Sequence, residues 1–303
     1  MTSRRSSSIN RKSLLLCNLP NSLQETLDRV LQEHYEKLYE PEATASLEDA
    51  LDDIFTSFQN YNPSLSHLRC VWMALILAVV VEPTVKYYQP DNCIPQVTIK
   101  QVAVWLITTI TEMMNNKEQS VEAVRTIAEN ATVNHLQLLN TTKKMASFQI
   151  LYEALDVYNN AIKALAPNQS LAAMIDILDD CLEGYAIFPG SDGRRELFEW
   201  WLLDVVPACW YLLPPSSIYS TGKSAYEKRI ISRQIDKLND ISFALWTIIS
   251  LAEKDKNKNY NAKNSGILTN SSHTFNIAFK KNLLDKNFDN NKYFINKHKT
   301  SIN

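Results

Sequence analysis

The sequence predicts an all-α protein: a multi-helix bundle or irregular array of about eight helices over residues 20–252, with disordered ends at 1–19 and 253–303. Three observations lead there. The first 183 residues contain no glycine, although hairpin turns and phosphate-cradling loops need the positive φ or close backbone approach that glycine supplies. Apolar residues recur at spacings of three and four from Leu23 onward, the period of a helix that buries one face. Residues 119–165 contain neither glycine nor proline, the strongest helix interrupters.

Residues 1–19 read as a basic, Ser-rich arm ending before Pro20. Ser22 followed by Glu25 predicts a capping box, in which hydroxyl and carboxylate satisfy each other's backbone amides, with Leu23, Leu27, Val30 and Leu31 as the apolar stripe behind it. Ser46 and Asp49 repeat the device ahead of Leu47, Leu51, Ile54, Phe55 and Phe58. Asn62-Pro63 opens a third helix, since proline in the first turn sacrifices an amide that has no partner there. That helix carries the 12-residue apolar run Cys70–Val81 and is expected to be the most buried element of the first half.

Pro83, Pro90 and Pro95 predict a loop, followed by a helix over about Thr98–Met114. The Gly/Pro-free stretch 119–165 is too long for one ordinary helix, so a break is expected near Asn134–Thr142. Sub-boundaries of the body are placed near 116–119 or 166–169. Ser170 is read as the cap of a helix whose Leu171, Met174, Ile175, Leu178 and Leu182 face inward. After the loop Phe188–Gly193 comes an aromatic helix, bent at Pro207 and ended by Pro214-Pro215. The last element, about Tyr226–Ala252, places Ile231, Ile235, Leu238, Ser242, Leu245, Ile249 and Ala252 on a heptad seam, suited above all to packing on the body. From Glu253 the 12 Asn and 10 Lys of the tail offer little apolar area to offset ordering entropy.

The net charge of −2 hides a strong asymmetry: residues 1–12 carry +4, residues 253–303 carry ten Lys against four acids, and residues 13–252 therefore carry −12. Such a body repels polyphosphate, which makes nucleic acid an improbable partner except through the basic ends or a helix-turn-helix around Asn168–Gly184. Five cysteines at wide spacing give neither a zinc pattern nor a disulfide framework and suggest a reducing, cytoplasmic compartment; Cys70, Cys181 and Cys209 read as small core residues. Twelve apolar residues fall short of the ~20 that span a bilayer, so no transmembrane segment is expected.

Two clusters share one form, Asp49-Ala-Leu-Asp52-Asp53 and Asp176-Ile-Leu-Asp179-Asp180. Carboxylates three and four apart share a helix face and can present oxygens to a divalent ion. Facing one another across a helical core, the clusters would resemble the Mg²⁺-diphosphate arrangement of isoprenoid and terpene synthases, with Mg²⁺ the implied cofactor. The order here is DxxDD where that family has DDxxD, and Asn239-Asp240-Ile241-Ser242 matches only the start of its second metal motif. Solvated helix faces are the expectation. The five histidines lack the spacings of zinc or di-iron sites, and no GxSxG elbow presents a serine nucleophile.

No catalytic residue is therefore assigned, and the expected function is that of a non-enzymatic protein-interaction or regulatory protein with a protein partner. Its contact surface is placed on Trp200, Trp201, Trp210 and Tyr211, because adjacent tryptophans point about 100° apart and one of the pair can stay exposed; packing of both in the core on a broad apolar face is the favoured account of the same residues. Ser6 and Ser7, behind Arg4-Arg5, form a basic-serine phosphorylation motif.

Overall fold

The computed structural model describes residues 15–16, 19–34, 46–61, 63–114, 147–187, 193–220 and 225–263. Among them there is no strand, and eight helices carry the fold. These are α1 (Asn21–His34), α2 (Leu47–Tyr61), α3 (Pro63–Tyr88), α4 (Ile94–Met114), α5 (Ser147–Lys163), α6 (Ser170–Leu178, running on into a π-helical turn Asp179–Glu183), α7 and α8 (Ala225–Lys263). α7 joins Arg194–Trp200, a second π-helical turn Trp201–Val205, and Val206–Tyr211. The all-α array expected from the apolar spacing is the observed architecture. The break expected near Asn134–Thr142 lies outside the described residues.

By contacts the chain divides into two compact units, Met1–Ala252 and Glu253–Asn303. In the first, α3 is the axle. It packs against α2, α4, α5, α6 and the end of α7, and every residue of Cys70–Val81 is buried. A helix apolar all round needs neighbours all round. Leu65–Tyr88 is long and apolar enough by length and composition to cross a bilayer, and 89% of its apolar window is buried in the body.

α3 does not stop at the predicted loop; Pro83 lies inside it. Proline lacks the amide that would reach the carbonyl four residues back. Gln234 of α8 supplies the replacement donor, its Nε2 lying 2.9 Å from the Val79 carbonyl and 3.2 Å from that of Val80. The Tyr158 hydroxyl donates to the Ala78 carbonyl at 2.8 Å, and Lys237 pairs with Glu82. One helix of the body is thus completed by side chains from two others.

Helix starts follow local chemistry, with three departures from expectation. α1 begins at Asn21, two positions before the Leu23 that a cap at Ser22 would make first, because the Pro20 carbonyl takes the Leu23 and Gln24 amides. α4 begins at Ile94: Asn92 Oδ1 accepts the Ile94 N–H at 2.8 Å, and Pro95 occupies the first turn. Ser170 is the first residue of α6 and caps nothing, its hydroxyl lying 2.7 Å from Cys70 Sγ in the core. At α2 the expected cap does form, with the Asp49 amide donating to Ser46 Oγ at 3.0 Å.

The C-terminus of α7 is the tertiary junction. A helix leaves its last carbonyls without intrahelical donors. Here four consecutive ones are met by side chains: Arg69 Nε reaches the Trp210 carbonyl (3.2 Å), Trp246 Nε1 that of Tyr211 (3.1 Å), Ser242 Oγ that of Leu212 (2.7 Å) and Trp72 Nε1 that of Leu213 (2.9 Å). Leu212 closes the helix at φ 53°, a left-handed position taken without glycine.

α8 docks Gln234, Leu238, Ser242 and Leu245 into the body, so the seam serves an intramolecular neighbour. It also continues past the expected end at Ala252 to Lys263. Extending an existing helix is cheap compared with nucleating one. The tail's remaining residues lie outside the described set.

Candidate functional site

The first Asp cluster is a solvated face. Asp49 and Asp52 are exposed on α2, and Asp53 pairs with Arg29 of α1 at 3.2 Å. Beside them, Ser22, Glu25, Thr26, Arg29, Ser57 and Asn60 line an open polar groove of about 630 Å³.

The second cluster lies elsewhere and in different company. Asp176 sits on α6, and Asp179 and Asp180 open its π-helical turn. The turn packs on α5 and α7, and α5 brings Glu153 and Asp156 to the same place. Five acids therefore act on one another: Asp180 is pushed up to about 8, first by burial and then by repulsion from Asp156, Glu153, Asp179 and Asp176. Its Oδ2 is buried and has no hydrogen-bond partner among the described residues. Asp176 is raised by burial, relieved in part by Lys163. Glu183 is raised by burial and by Asp179, against Arg194.

The remaining acids are tied down. Glu153 accepts from the Tyr185 backbone N–H and, at 3.0 Å, from Gln149 Nε2. Asp156 accepts from Asn160 Nδ2 at 2.8 Å, and Lys163 Nζ donates onward to Asn160 Oδ1 at 2.8 Å. Gly184 ends the turn where a Cβ would stand 2.8 Å from both the Asp180 carbonyl and Glu153 Oε2. Glycine is required here for close approach, since its φ of −85° suits any residue. At the rim, Tyr152 (47%) and Tyr185 (36%) expose their rings.

No family model, curated protein or solved structure matches this chain.

Among the described residues no three His, Cys, Asp or Glu side chains are grouped so as to hold a metal ion. The two Asp clusters do not converge on one centre, which removes the facing arrangement that the synthase likeness required. The window 168–184 holds a single helical run with an acidic outer side, and a helix-turn-helix is not formed within it.

Both members of the tryptophan pair are buried, as core packing on a broad apolar face requires, and neither is the exposed contact residue of the other reading. Trp201 turns to α3, where its Nε1 meets Met73 Sδ at 3.4 Å. Trp200 turns the other way and donates to the Ser217 carbonyl at 2.8 Å. The divergence of 100° read from the sequence is real, but the chain after Pro215 folds back and covers the second side. Trp210 and Tyr211 are half-buried at the α7 junction. Ser6 and Ser7 lie outside the described residues.

Sequence reasoning missed Glu153, Asp156, Glu183, Tyr152, Tyr185 and both π turns. The 153/156 spacing of three was a legible signal for a shared face on α5. Which helix that face would meet had no sequence signal.

Proposed function

We propose that this chain is a non-enzymatic helical interaction protein, acting in a reducing cytoplasmic compartment, whose acidic face on α5 and α6 receives a lysine- or arginine-rich segment of a partner protein. The observation that carries this reading is the crowding of Glu153, Asp156, Asp176 and Asp179 around the buried Asp180, whose carboxyl burial and these four acids push up to about 8. Carboxylates held together at this cost gain from any cation that approaches, and a flexible basic segment offers several at once. The exposed rings of Tyr152 and Tyr185 beside them offer apolar contact and cation–π faces to the same segment. The buried thiols Cys70, Cys181 and Cys209, all free of disulfides among the described residues, support the reducing compartment.

The test is binding of a fluorescent Lys/Arg-rich peptide to the full chain and to Asp176→Asn/Asp179→Asn. The double variant should bind ~10-fold more weakly and with a shallower salt dependence, as expected when two steering charges are lost. Equal affinity and equal salt slope for the two proteins would remove this face from the function.

A further inference from the structure

The exposed side of α8 carries a row of six residues that is its own complement in reverse order. Gln234, Leu238, Ser242 and Leu245 are buried and define the inner side of the helix. Opposite them, Tyr226, Arg229, Arg233, Asp236, Asp240 and Phe243 are all exposed, Tyr226 at 68% and Phe243 at 55%. Their separations alternate between three and four residues, the spacing that keeps side chains on one side of a helix.

The charges along this row are segregated by sign. Arg229 and Arg233 stand four apart, as do Asp236 and Asp240, and like charges at that spacing repel each other within a helix. None of the four enters an ion pair among the described residues, whereas the neighbouring Lys237 is taken by Glu82. Both repelling pairs are relieved together by a surface that presents two acids and then two cations in the opposite direction.

The same row on a second copy is such a surface. An isologous contact requires each position to suit its mirror across the two-fold axis. With the axis midway between Gln234 and Ile235, antiparallel pairing sets Arg233 on Asp236, Arg229 on Asp240 and Tyr226 on Phe243, each twice. Parallel pairing would set arginine on arginine and aspartate on aspartate. Because the row lies opposite the buried side of α8, the bodies of the two copies stand outside the helix pair.

We infer that two copies of this chain associate antiparallel through the exposed row from Tyr226 to Phe243 on α8. One helix pair is a small contact, below the ~1,200 Å² of stable interfaces, and the dimer forms reversibly with protein concentration. Its ion pairs are solvent-facing, so salt weakens it. Pairing here does not depend on the basic partner proposed for α5 and α6.

Sedimentation velocity of the full chain from ~1 to ~200 µM, a range suited to a contact of this size, tests the inference at low and high salt. The wild-type chain should shift from monomer to dimer as concentration rises, and less so in ~1 M salt, where the Debye length falls to about 3 Å. Arg229→Asp sets aspartate against Asp240 across the axis and should weaken association ~10-fold or more. The double variant Arg229→Asp/Asp240→Arg restores complementarity and should recover the dimer. The two positions are eleven residues apart on one helix, about 16 Å, so recovery cannot come from pairing within a chain. Four results overturn the proposal: a monomeric wild-type chain throughout, a dimer indifferent to salt, a dimer unaffected by Arg229→Asp, or a double variant no better than Arg229→Asp alone.

Discussion

The guanidinium carbon of Arg69 lies 3.5 Å from the centroid of the Trp210 ring, while the Nε of the same side chain holds the Trp210 carbonyl. Phe58 closes the assembly, 5.6 Å from the guanidinium. Arg69 is only 5% exposed and its Nη1 is buried without a hydrogen-bond partner among the described residues. Burial accordingly lowers its pKa to about 10. A cation in the core is held here by aromatic faces and a helix terminus.

Removing the stacking ring should therefore cost more than removing the charge. Trp210→Ala strands the guanidinium beside a cavity and is expected to lose ~3–5 kcal/mol. Arg69→Met, of similar length and without a charge to desolvate, should stay within ~1.5 kcal/mol of wild type. Urea denaturation of the two variants ranks them, and the reverse order would mean that the cation itself holds the junction.

The Gln234 amide and the Pro83 ring should prove coupled. Gln234→Ala leaves the Val79 carbonyl buried without a donor, for ~1–3 kcal/mol. In a Pro83→Ala background a backbone amide is available to that carbonyl again, and the same Gln234→Ala change should cost at least ~1 kcal/mol less. A double-mutant cycle measures the difference; strict additivity would show that Gln234 does not repair the proline.

The carboxylate group on α5 and α6 predicts a pH dependence. An acid whose pKa is higher in the folded chain holds its proton more tightly there than when unfolded. Its stabilising contribution is complete below the unfolded value of 3.8 and is lost as pH rises toward the folded value of about 8. Asp180→Asn cannot ionise and should flatten this decline, leaving the smaller share from Asp176 and Glu183. At alkaline pH the variant should melt higher, by ~2–4 °C for each kcal/mol recovered. Melting curves that run parallel for the two proteins from acid to alkaline pH would contradict the assignment.

Much of the helical plan was legible along the chain because its causes are local. The stripes beginning at Leu23 and Leu47 are buried as spaced save for the half-buried Leu31, Ser46 caps α2, and every residue of the run Cys70–Val81 is enclosed. Local rules failed where a partner from far along the chain intervened. Pro83 reads as a breaker until Gln234, 151 positions later, provides its missing donor. Trp200 and Trp201 offer one indole too many for a narrow stripe until Ser217 returns over Trp200.

By itself the sequence determined the fold class, the acidic body between basic ends and the apolar stripes, since each depends on residue type and on spacing within a few positions. Tertiary structure alone decided which carboxylates meet around Asp180 and which side chains receive the carbonyls of Trp210, Tyr211, Leu212 and Leu213. The physical reason is range. Helix period and capping act over three or four residues, whereas desolvation, charge repulsion and the pairing of buried polar groups depend on which helices become neighbours.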